Sequence, residues 1–308
     1  MMSVHNPVLL KETIKLLNLK KGDTVVDATL GGGGHSFEIL ERIGSSGKLI
    51  AIDADEEATR KFKAGKNVFL VNDNFVNLEE ILTDLKIEKV NAILADLGWS
   101  SDQLSGKGMS FLKDEPLDMR LNEKQELNAR QVVNEYSEKE LGRIIREFGE
   151  DRFWKNIARR IVFSREKKKI ETTKELSEIV KQAIPGKYRH RKIYPATKTF
   201  QALRIEINRE LENLKKFIPQ AVSVLDRKGR LGIISFHSLE DRIVKNSFRE
   251  NARGCICPPD FPQCACGKKP NVSLVTKKPV VPGEEEIKNN PRARSAKLRV
   301  CEKKQINK

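Results

Sequence analysis

The sequence predicts an α/β protein in which a parallel, doubly wound sheet is interrupted by a basic helical insertion. Three observations support this fold class. Short apolar runs alternate with helical segments over the first hundred residues, the pattern then becomes helical and polar, and strand character returns near residue 229. Continuous apolar runs between helices are typical of parallel strands that are buried on both faces. Right-handed crossovers between such strands give a doubly wound domain.

The first predicted elements are a short helix and four strands. Leu10, Ile14 and Leu17 fall on one face of an amphipathic helix near the N-terminus. The four predicted strands share a high content of apolar and β-branched residues, and they are TVVDATL (24–30), KLIAIDAD (48–55), NVFLVND (67–73) and VNAILADLG (90–98).

The strand pattern stops after Gly98, and residues 99–122 have the composition of a loop. A helical, polar pattern then extends to about residue 216, with helices indicated by ELGRIIREF, RFWKNIARRIVF, TKELSEIVKQAI and TFQALRIEINRELENLKKFI. Strand character returns at GRLGIISFHS (229–238), and SAKLRVCEK (295–303) is the last predicted strand.

These changes of pattern divide the chain into three parts. Residues 1–104 are predicted to form the first part of an α/β domain, and 105–216 a basic helical insertion. Residues 217–308 then complete the α/β domain and add a C-terminal tail.

The N-terminal residues do not have the basic and apolar regions of a signal peptide. No apolar stretch approaches the roughly 20 residues that a membrane span requires. We therefore expect a cytoplasmic protein that has no membrane partner.

Charge is unevenly distributed along the chain. The net charge is +15, yet residues 1–100 carry 12 Lys and Arg against 15 Asp and Glu. Residues 151–216 carry 19 against 8, so most of the positive excess lies in the predicted insertion. Such a segment favours binding of a polyanion, although a solvated basic helix face has the same composition.

The stretch DATLGGGGHSFEIL (27–40) places four glycines between a strand and a helix. A nucleotide-binding P-loop requires Lys and then Ser or Thr after its glycines, whereas His35 and Ser36 stand here. The dinucleotide fingerprint requires a glycine or alanine at its sixth position. Counted from Gly31, the sixth position of this loop is Ser36, so the match is incomplete. The form that remains is D-x-x-x-G-x-G, which resembles the adenosylmethionine-binding loop of Rossmann-like methyltransferases.

Carboxylates follow two of the other strands. Asp53 ends the second strand, where it could accept hydrogen bonds from ribose hydroxyls, and Asp96 ends the fourth strand near the switch point of the sheet. Phe75 follows the third strand and could lie against an adenine ring. Each has a structural alternative: Asp53 could cap the next helix, Asp96 could organise its turn, and Phe75 could be core.

Seven motifs together carry a resemblance to one family. They are DATLGGGGHS, AIDAD, DLGWSSDQL, MSFLKDEPLDMR, YPATKTFQALRIEINREL, ISFHSLEDRIVK and NPRARSAKLR. In this order, from Pro7 to Arg299, they resemble the bacterial 16S ribosomal RNA cytosine-N4 methyltransferases of the MraW/RsmH type.

The resemblance implies a class I methyltransferase sheet, S-adenosyl-L-methionine as cofactor and 16S rRNA of the small ribosomal subunit as partner. The implied reaction is N4-methylation of a cytosine in the decoding (P-site) region. The residues that the resemblance places against the methyl donor are Gly33, Gly34, His35, Asp53, Phe75, Asp96 and Gln103.

Two positions depart from the motifs of the family. Trp99 stands where a smaller residue is usual, and it could stack on the target base or belong to the core. Tyr194 replaces the histidine of HPAT, so we assign no catalytic role to this position.

Asp96 is the predicted catalytic residue. The lone pair of the cytosine N4 amine is delocalised into the ring, so a hydrogen-bond acceptor would increase electron density on the nitrogen and later receive its proton. We expect positioning of the reacting atoms to supply most of the acceleration.

Predicted RNA-binding residues lie in KYRHRK (187–192), and they are Lys187, Arg189, Arg191 and Lys192. SREKKK (164–169) adds more positive charge. Lysine and arginine would bind phosphates, and the aromatic residues could stack on loop bases.

Two further motifs have structural interpretations. His237, in SFHSLEDR, is predicted to cap the next helix rather than to act as an acid or base. Asp118 and Arg120 are predicted to form an ion pair that fixes their loop.

Four cysteines lie close together in CICPPDFPQCACG, namely Cys255, Cys257, Cys264 and Cys266. Clustered thiols in a cytosolic protein favour a metal over disulfides, and a structural zinc ion is one interpretation. The one-residue gaps differ from the two-residue gaps of common zinc knuckles, so thiols in a loop remain the alternative.

Two other functions compete with the methyltransferase prediction. An NAD-dependent oxidoreductase is disfavoured by Ser36 and by the lack of a recognisable hydride-transfer constellation. A ribosome-assembly or RNA-binding protein with a vestigial donor pocket would share the basic insertion. The oligomeric state is not indicated by the sequence.

Overall fold

A computed structural model describes residues 7–63, 65–99, 106–111, 113–123, 125–189, 194–255, 257–258, 261–263 and 265–305. Contacts divide the chain into two units: unit 1 is Met1–Gly98 with Leu211–Lys308, and unit 2 is Trp99–Glu210. An α/β unit interrupted by a helical one agrees with the predicted fold class. The predicted boundaries, after residues 104 and 216, each lie six residues beyond the junctions of these units.

Seven strands of unit 1 form one sheet in the order β3-β2-β1-β4-β5-β7-β6. They are β1 (Thr24–Asp27), β2 (Lys48–Asp53), β3 (Val68–Asn72), β4 (Val90–Asp96), β5 (Leu225–Ser235), β6 (Val272–Leu274) and β7 (Lys297–Lys303). Strands β1 to β5 are parallel to one another, whereas β7 is antiparallel to both β5 and β6. The first five strands follow the Rossmann order, in which ligands bind where the strand order reverses, between β1 and β4.

The described helices are distributed between the two units. They are α1 (Leu10–Leu17), α2 (Gly34–Ile43), α3 (Glu56–Lys61), α4 (Leu78–Asp84), α5 (Ala129–Glu135), α6 (Glu138–Glu147), α7 (Trp154–Arg165), α8 (Thr173–Ala183), α9 (Thr197–Asn208), α10 (Glu210–Val224), α11 (Ser238–Ala252) and α12 (Glu284–Asn289). None of the helices described has both the length and the apolarity needed to cross a lipid bilayer.

The central strands are buried on both faces, as their continuous apolar runs predict. Val25 and Leu49 belong to the core that α1 and α2 cover. Val26 and Ile50, one residue further along each strand, belong to the core on the opposite face, with α4, α10 and α11. Side chains alternate between the faces of a strand, and helices therefore cover both sides of the sheet.

Unit 2 is helical and has its own apolar core, to which Val132, Leu141, Ile157 and Leu203 contribute. Capping boxes begin α5, α6 and α8, because the side chains of Asn128, Ser137 and Thr172 each accept a backbone N–H of the first turn. These sequence signals fix where the helices begin.

The structure differs from the sequence prediction at three places. The predicted helical segment TFQALRIEINRELENLKKFI is two helices, because Arg209 has a φ of +51° and ends α9. Strand β5 begins at Leu225, directly after α10, instead of at residue 229. Strand β6 has only three residues and was not predicted.

Candidate active site

The glycine loop connects β1 to α2 at the edge of the sheet where the parallel strands end. Gly31 and Gly33 have φ angles of +49° and +77°, which favour glycine. A Cβ atom on Gly33 would lie 2.6 Å from the ring of Phe62. The N–H of Gly33 donates to the carbonyl of Leu30 at 2.7 Å and closes the turn. The loop thereby starts α2 at Gly34, and the N–H groups of a first helical turn have no intrahelical partner.

Asp53, at the end of β2, holds this loop by a hydrogen bond. Its Oδ2 accepts the N–H of Gly31 at 2.7 Å, and its Oδ1 accepts the N–H of Asp55 at 2.8 Å. The residue that caps α3 is Asp55, whose side chain accepts the N–H of Glu57. The alternative that Asp53 is a helix cap is therefore wrong. Contact of Asp53 with ribose stays a prediction.

Asp96 ends β4 and is held on several sides. Its N–H donates to Oγ1 of Thr29 at 2.6 Å, and its Oδ1 accepts the N–H of Gly98 at 3.0 Å. Its Oδ2 lies 3.6 Å from Nδ1 of His35. The other ring nitrogen of His35, Nε2, lies 3.1 Å from the carbonyl of Val8. Since a carbonyl only accepts, Nε2 carries the hydrogen, and Nδ1 faces the carboxylate.

Asp27 is a third carboxylate at this edge, and it was not among the predicted site residues. Its Oδ2 accepts the hydroxyl of Ser36 at 2.6 Å. Burial raises the pKa of Asp27 to about 7, and repulsion from Asp96 and Asp53 adds to this rise, while hydrogen bonds oppose it. Its place as the first residue of D-x-x-x-G-x-G was the signal that could have identified it.

The ends of β1, β2 and β4 thus bring together Asp27, Asp53 and Asp96. An acidic edge of this kind favours a ligand with a positive charge, and carboxylates also accept hydroxyl hydrogens. The glycine loop beside it allows a close approach of the backbone. The arrangement suits a cationic nucleoside better than a nucleoside triphosphate, whose phosphates would meet three acidic groups.

Sequence comparison decides the family. The sequence profile of the MraW methylase family matches residues 2–304. The chain belongs to this family. Its membership confirms the predicted family, the class I methyltransferase fold and the dependence on S-adenosylmethionine.

Relatives of known name align over almost their full length. A protein from Clostridium botulinum (strain Kyoto / Type A2) is 52% identical over 305 residues, which cover 97% of this chain and 98% of the relative. One from Lachnospira eligens is 50% identical over 306 residues, with 97% of each chain covered. Both relatives are named ribosomal RNA small subunit methyltransferase H.

Solved structures show more distant likeness. A putative rRNA methylase from Clostridium thermocellum has a TM-score of 0.46 and 12% identity, over 97% of this chain and 100% of that one. A putative methyltransferase from Streptococcus mutans, solved in complex with SAH, has a TM-score of 0.43 and 12% identity, over 97% and 99%.

Two more residues were predicted to contact the methyl donor in this member of the family. Phe75 lies in a 3₁₀ turn directly after β3, and its ring packs edge-on against Phe217 with centroids 5.0 Å apart. It is partly buried against the core, so it has a structural role whether or not it also contacts adenine. Gln103 lies outside the described residues.

The predicted RNA-binding residues of unit 2 differ in their surroundings. Lys187 is exposed, with its ammonium 5.1 Å from the ring centroid of Tyr188. Arg189 instead donates to the backbone carbonyls of Ile184 and Gln182. Arg191 and Lys192 lie outside the described residues.

Aromatic and cationic side chains also alternate on α7 and near it. The guanidinium of Arg152 lies 4.0 Å from the ring centroid of Tyr188 and 4.5 Å from that of Phe153. Phe163 is 47% exposed, and the ammonium of Lys167 lies 4.3 Å from its centroid. These residues were not among the predicted site residues, although RFWKNIARRIVFSREKKK shows the alternation of aromatic and basic residues.

Trp99 packs against the core of unit 2, and the guanidinium of Arg204 lies 4.8 Å from its ring centroid. Arg204 also makes two hydrogen bonds to the carboxylate of Glu210, at 2.7 and 3.0 Å. The core interpretation of Trp99 is therefore supported.

Both structural interpretations of charged motifs are confirmed. His237 is the N-cap of α11, where its side chain accepts the N–H of Glu240 and the Glu240 side chain accepts its backbone N–H. Arg120 binds both carboxylate oxygens of Asp118, at 2.7 and 2.9 Å. This ion pair lowers the pKa of Asp118.

Proposed function

We propose that this protein transfers a methyl group from S-adenosylmethionine to N4 of a cytosine in the decoding (P-site) region of 16S rRNA in the small ribosomal subunit. The observation that carries the proposal is membership of the MraW methylase family over residues 2–304. Its relatives are named for small-subunit ribosomal RNA, and the seven motifs resemble the cytosine-N4 enzymes. Such a substrate fits the cytoplasmic location expected from the sequence.

The residues of the glycine loop fit the methyl donor. When bound, S-adenosylmethionine supplies a methyl group activated by a positively charged sulfur. The backbone of Gly33, Gly34 and His35 lies close to the bound donor. The N–H groups in the first turn of α2 can donate to the carboxylate of the donor. Asp53 is oriented by two backbone N–H groups, and its carboxylate is the acceptor for the ribose hydroxyls. The carboxylates of Asp53 and Asp96 at this edge favour its positive charge.

Asp96 orients the amine and takes its proton. The N4 lone pair is delocalised, and an N–H donated to Oδ2 of Asp96 shifts electron density towards nitrogen. Methyl transfer exchanges a bond from carbon to the donor's sulfur for a bond from carbon to N4. The amine loses one proton in this exchange, and the Asp96 carboxylate receives it. Oδ1 already accepts the N–H of Gly98, which holds the carboxylate in one orientation.

His35 is a positioning residue for Asp96. Val8 fixes the hydrogen on Nε2, so the lone pair of Nδ1 faces Oδ2 at 3.6 Å when the imidazole is neutral. The imidazole therefore lies against the Asp96 carboxylate and limits the orientations that the carboxylate can adopt.

Unit 2 supplies the contact with RNA. Exposed Lys187 and Lys167 lie beside the aromatic rings of Tyr188 and Phe163, a combination that binds phosphates and stacks on unpaired bases. A cytosine must leave any base stack before it can reach the donor, which costs a few kcal/mol unless the base is already unpaired.

The test combines transfer and product analysis. Small subunits from cells lacking this protein are incubated with isotopically labelled S-adenosylmethionine, and their nucleosides are analysed by mass spectrometry. The wild-type protein should produce N4-methylcytidine. Absence of this nucleoside would contradict the proposed function, and binding of subunits without any transfer would favour the RNA-binding alternative.

The same assay tests Asp96. Asp96→Asn should lower kcat by about 10² to 10⁴, the range for removal of a general base, with donor affinity by calorimetry retained. Asp23→Asn changes a partly buried carboxylate before the opposite end of β1, and it should behave as wild type because asparagine can still accept the N–H of Lys20. Normal turnover by Asp96→Asn would contradict the proposed role of Asp96, and it would leave the proposed function of the protein unaffected.

A further inference from the structure

Three cysteine side chains converge in the segment between α11 and β6. The Sγ atoms of Cys255, Cys257 and Cys266 all lie within 4.8 Å of one another. Those of Cys255 and Cys266 are 3.8 Å apart. Cys264, the other cysteine of the sequence motif, lies outside the described residues.

The separation of 3.8 Å between Cys255 and Cys266 distinguishes two kinds of link. A disulfide would hold the two sulfurs about 2.05 Å apart. Thiolates bound to zinc at about 2.3 Å in a tetrahedron lie about 3.8 Å from each other. The observed distance therefore matches one edge of a zinc–thiolate tetrahedron.

The backbone near the sulfurs is also arranged as in metal–thiolate sites. The N–H of Cys257 lies 3.4 Å from Sγ of Cys255, to which it donates. Such hydrogen bonds orient a metal ligand and disperse its charge. Arg253 donates to the carbonyl of Cys255 at 3.1 Å, and Lys268 and Lys269 follow Cys266 in the chain. The same segment of the chain therefore carries three cations beside its cysteines.

The described part of this segment has an irregular backbone. Its described residues from 253 to 271 form neither a helix nor a strand, and Phe261 is 55% exposed. Its ends are joined where the N–H of Asn271 donates to the carbonyl of Asn251 at 2.9 Å. Irregular segments of this length are uncommon unless they have a function or are disordered. A bound metal would supply a cross-link in place of an apolar core.

We propose that Cys255, Cys257 and Cys266 bind a structural zinc ion that cross-links the segment between α11 and β6. Thiolate ligands in a cluster select zinc among the common divalent metals. The proposal is independent of methyl transfer, because none of the three cysteines belongs to the donor site.

Metal content tests this proposal directly. The full-length protein, purified without chelator and under reducing conditions, should contain about one zinc ion per chain by mass spectrometry of the elements. Cys255→Ser with Cys266→Ser should lose it. Cys301→Ala is the matched control, since Cys301 is buried in β7 and should leave the zinc content unchanged.

Thiol mapping on the wild-type protein gives a second readout that does not depend on the folding of a variant. Alkylation should modify Cys255, Cys257 and Cys266 slowly until a chelator is added, and rapidly afterwards. Replacement of zinc by cobalt should produce a thiolate-to-cobalt charge-transfer absorption.

Three results would overturn the proposal. The reduced wild-type protein could contain no zinc and take up none when it is supplied. Its three thiols could react equally fast with and without chelator. Peptide mapping of protein purified under nitrogen could instead show a disulfide between Cys255 and Cys266.

Discussion

At the scale of single residues, Asp27 couples the stability of the protein to pH. It is fully buried, and its pKa is raised from 3.8 to about 7. Between these pH values the folded protein keeps the proton that the unfolded chain has released. The contribution of Asp27 to stability is therefore fully present below the lower pKa and is lost as the pH rises through the upper one.

Asp27→Asn tests this coupling, because asparagine is neutral at every pH and can still accept the hydroxyl of Ser36. Relative to the variant, the wild type should lose up to about 4 kcal/mol of unfolding free energy between pH 4 and pH 8. Urea unfolding at several pH values measures the difference. Asp23→Asn, at a carboxylate that is only partly buried, should follow the wild type, and a pH-independent difference between Asp27→Asn and wild type would contradict the prediction.

Gly33 shows why glycine is needed in the loop between β1 and α2. Gly33→Ala would place a Cβ atom 2.6 Å from the ring of Phe62 at a φ of +77°. Gly44→Ala is the matched control: its φ is +66°, but nothing lies within 4 Å of the added atom. Gly33→Ala should lose about 1–2 kcal/mol to strain in the left-handed helical region. Gly44→Ala should lose about 1–3 kcal/mol, because its ψ of −171° lies in a region that essentially only glycine adopts. Only Gly33→Ala should also move the loop.

Calorimetry with S-adenosylmethionine distinguishes the two glycine variants. Gly33→Ala should weaken donor binding at least tenfold, while Gly44→Ala keeps the affinity of the wild type. Equal affinities in the two variants would mean that the contact of Gly33 with Phe62 does not shape the donor site.

At the scale of elements, the capping box at the start of α11 fixes a histidine that could otherwise be taken for a catalytic acid or base. His237 accepts the N–H of Glu240, and Oε2 of Glu240 accepts the N–H groups of Phe236 and His237. Asparagine is as good an N-cap as any residue, whereas alanine costs about 1 kcal/mol at such a position.

His237→Ala should therefore lower the unfolding free energy by about 1 kcal/mol, and His237→Asn should restore it. Both variants should keep the pH profile of methyl transfer that the wild type has, measured as kcat against pH. A profile that loses one limb in His237→Asn would instead assign His237 to acid–base chemistry.

The strands and helices that the sequence predicted are those with strong local signals. Strands β1 to β4 are continuous apolar runs, and α5, α6 and α8 begin with a polar cap followed three residues later by Gln or Glu. The start of β5 was missed because LDRKG is polar, although its backbone continues the strand. The break at Arg209 depends on a single left-handed residue within a helical pattern.

The positions of two carboxylates were predictable to a similar depth. The pattern of the strands placed Asp53 and Asp96 at strand ends, and the structure has both there. Their contacts with the methyl donor were implied by the family resemblance and stay predictions. Which atoms bond is a property of the closed loop, so the bond from Gly31 to Asp53 could not be predicted. The protonation of Asp27 depends on its burial, which the sequence does not measure.

At the scale of the whole molecule, charge is divided along the chain as function would require. The net charge is +15, with 19 Lys and Arg against 8 Asp and Glu in residues 151–216. Residues 1–100, which carry the donor loop, have a small negative excess of three. RNA binding should therefore weaken steeply with salt, because cations that neutralise phosphates release counterions. Donor binding should change little.

Charge reversal in unit 2 tests whether the basic residues of this unit bind RNA. Lys167→Glu with Lys187→Glu removes two exposed cations that lie beside Phe163 and Tyr188. Arg189 is a poorer choice, because its guanidinium also binds the carbonyls of Ile184 and Gln182. The double variant should bind 16S rRNA more weakly, and its plot of log affinity against log salt should be shallower by about two units if both lysines contact phosphates.

Lys11→Glu with Lys20→Glu, at exposed lysines of unit 1, changes the net charge by the same amount and is the matched control. It should keep nearly the slope of the wild type, because its lysines lie outside the basic segment. Calorimetry should give the same affinity for S-adenosylmethionine in all three proteins. Equal slopes in the two double variants would mean that total charge, rather than the surface of unit 2, determines the binding of RNA.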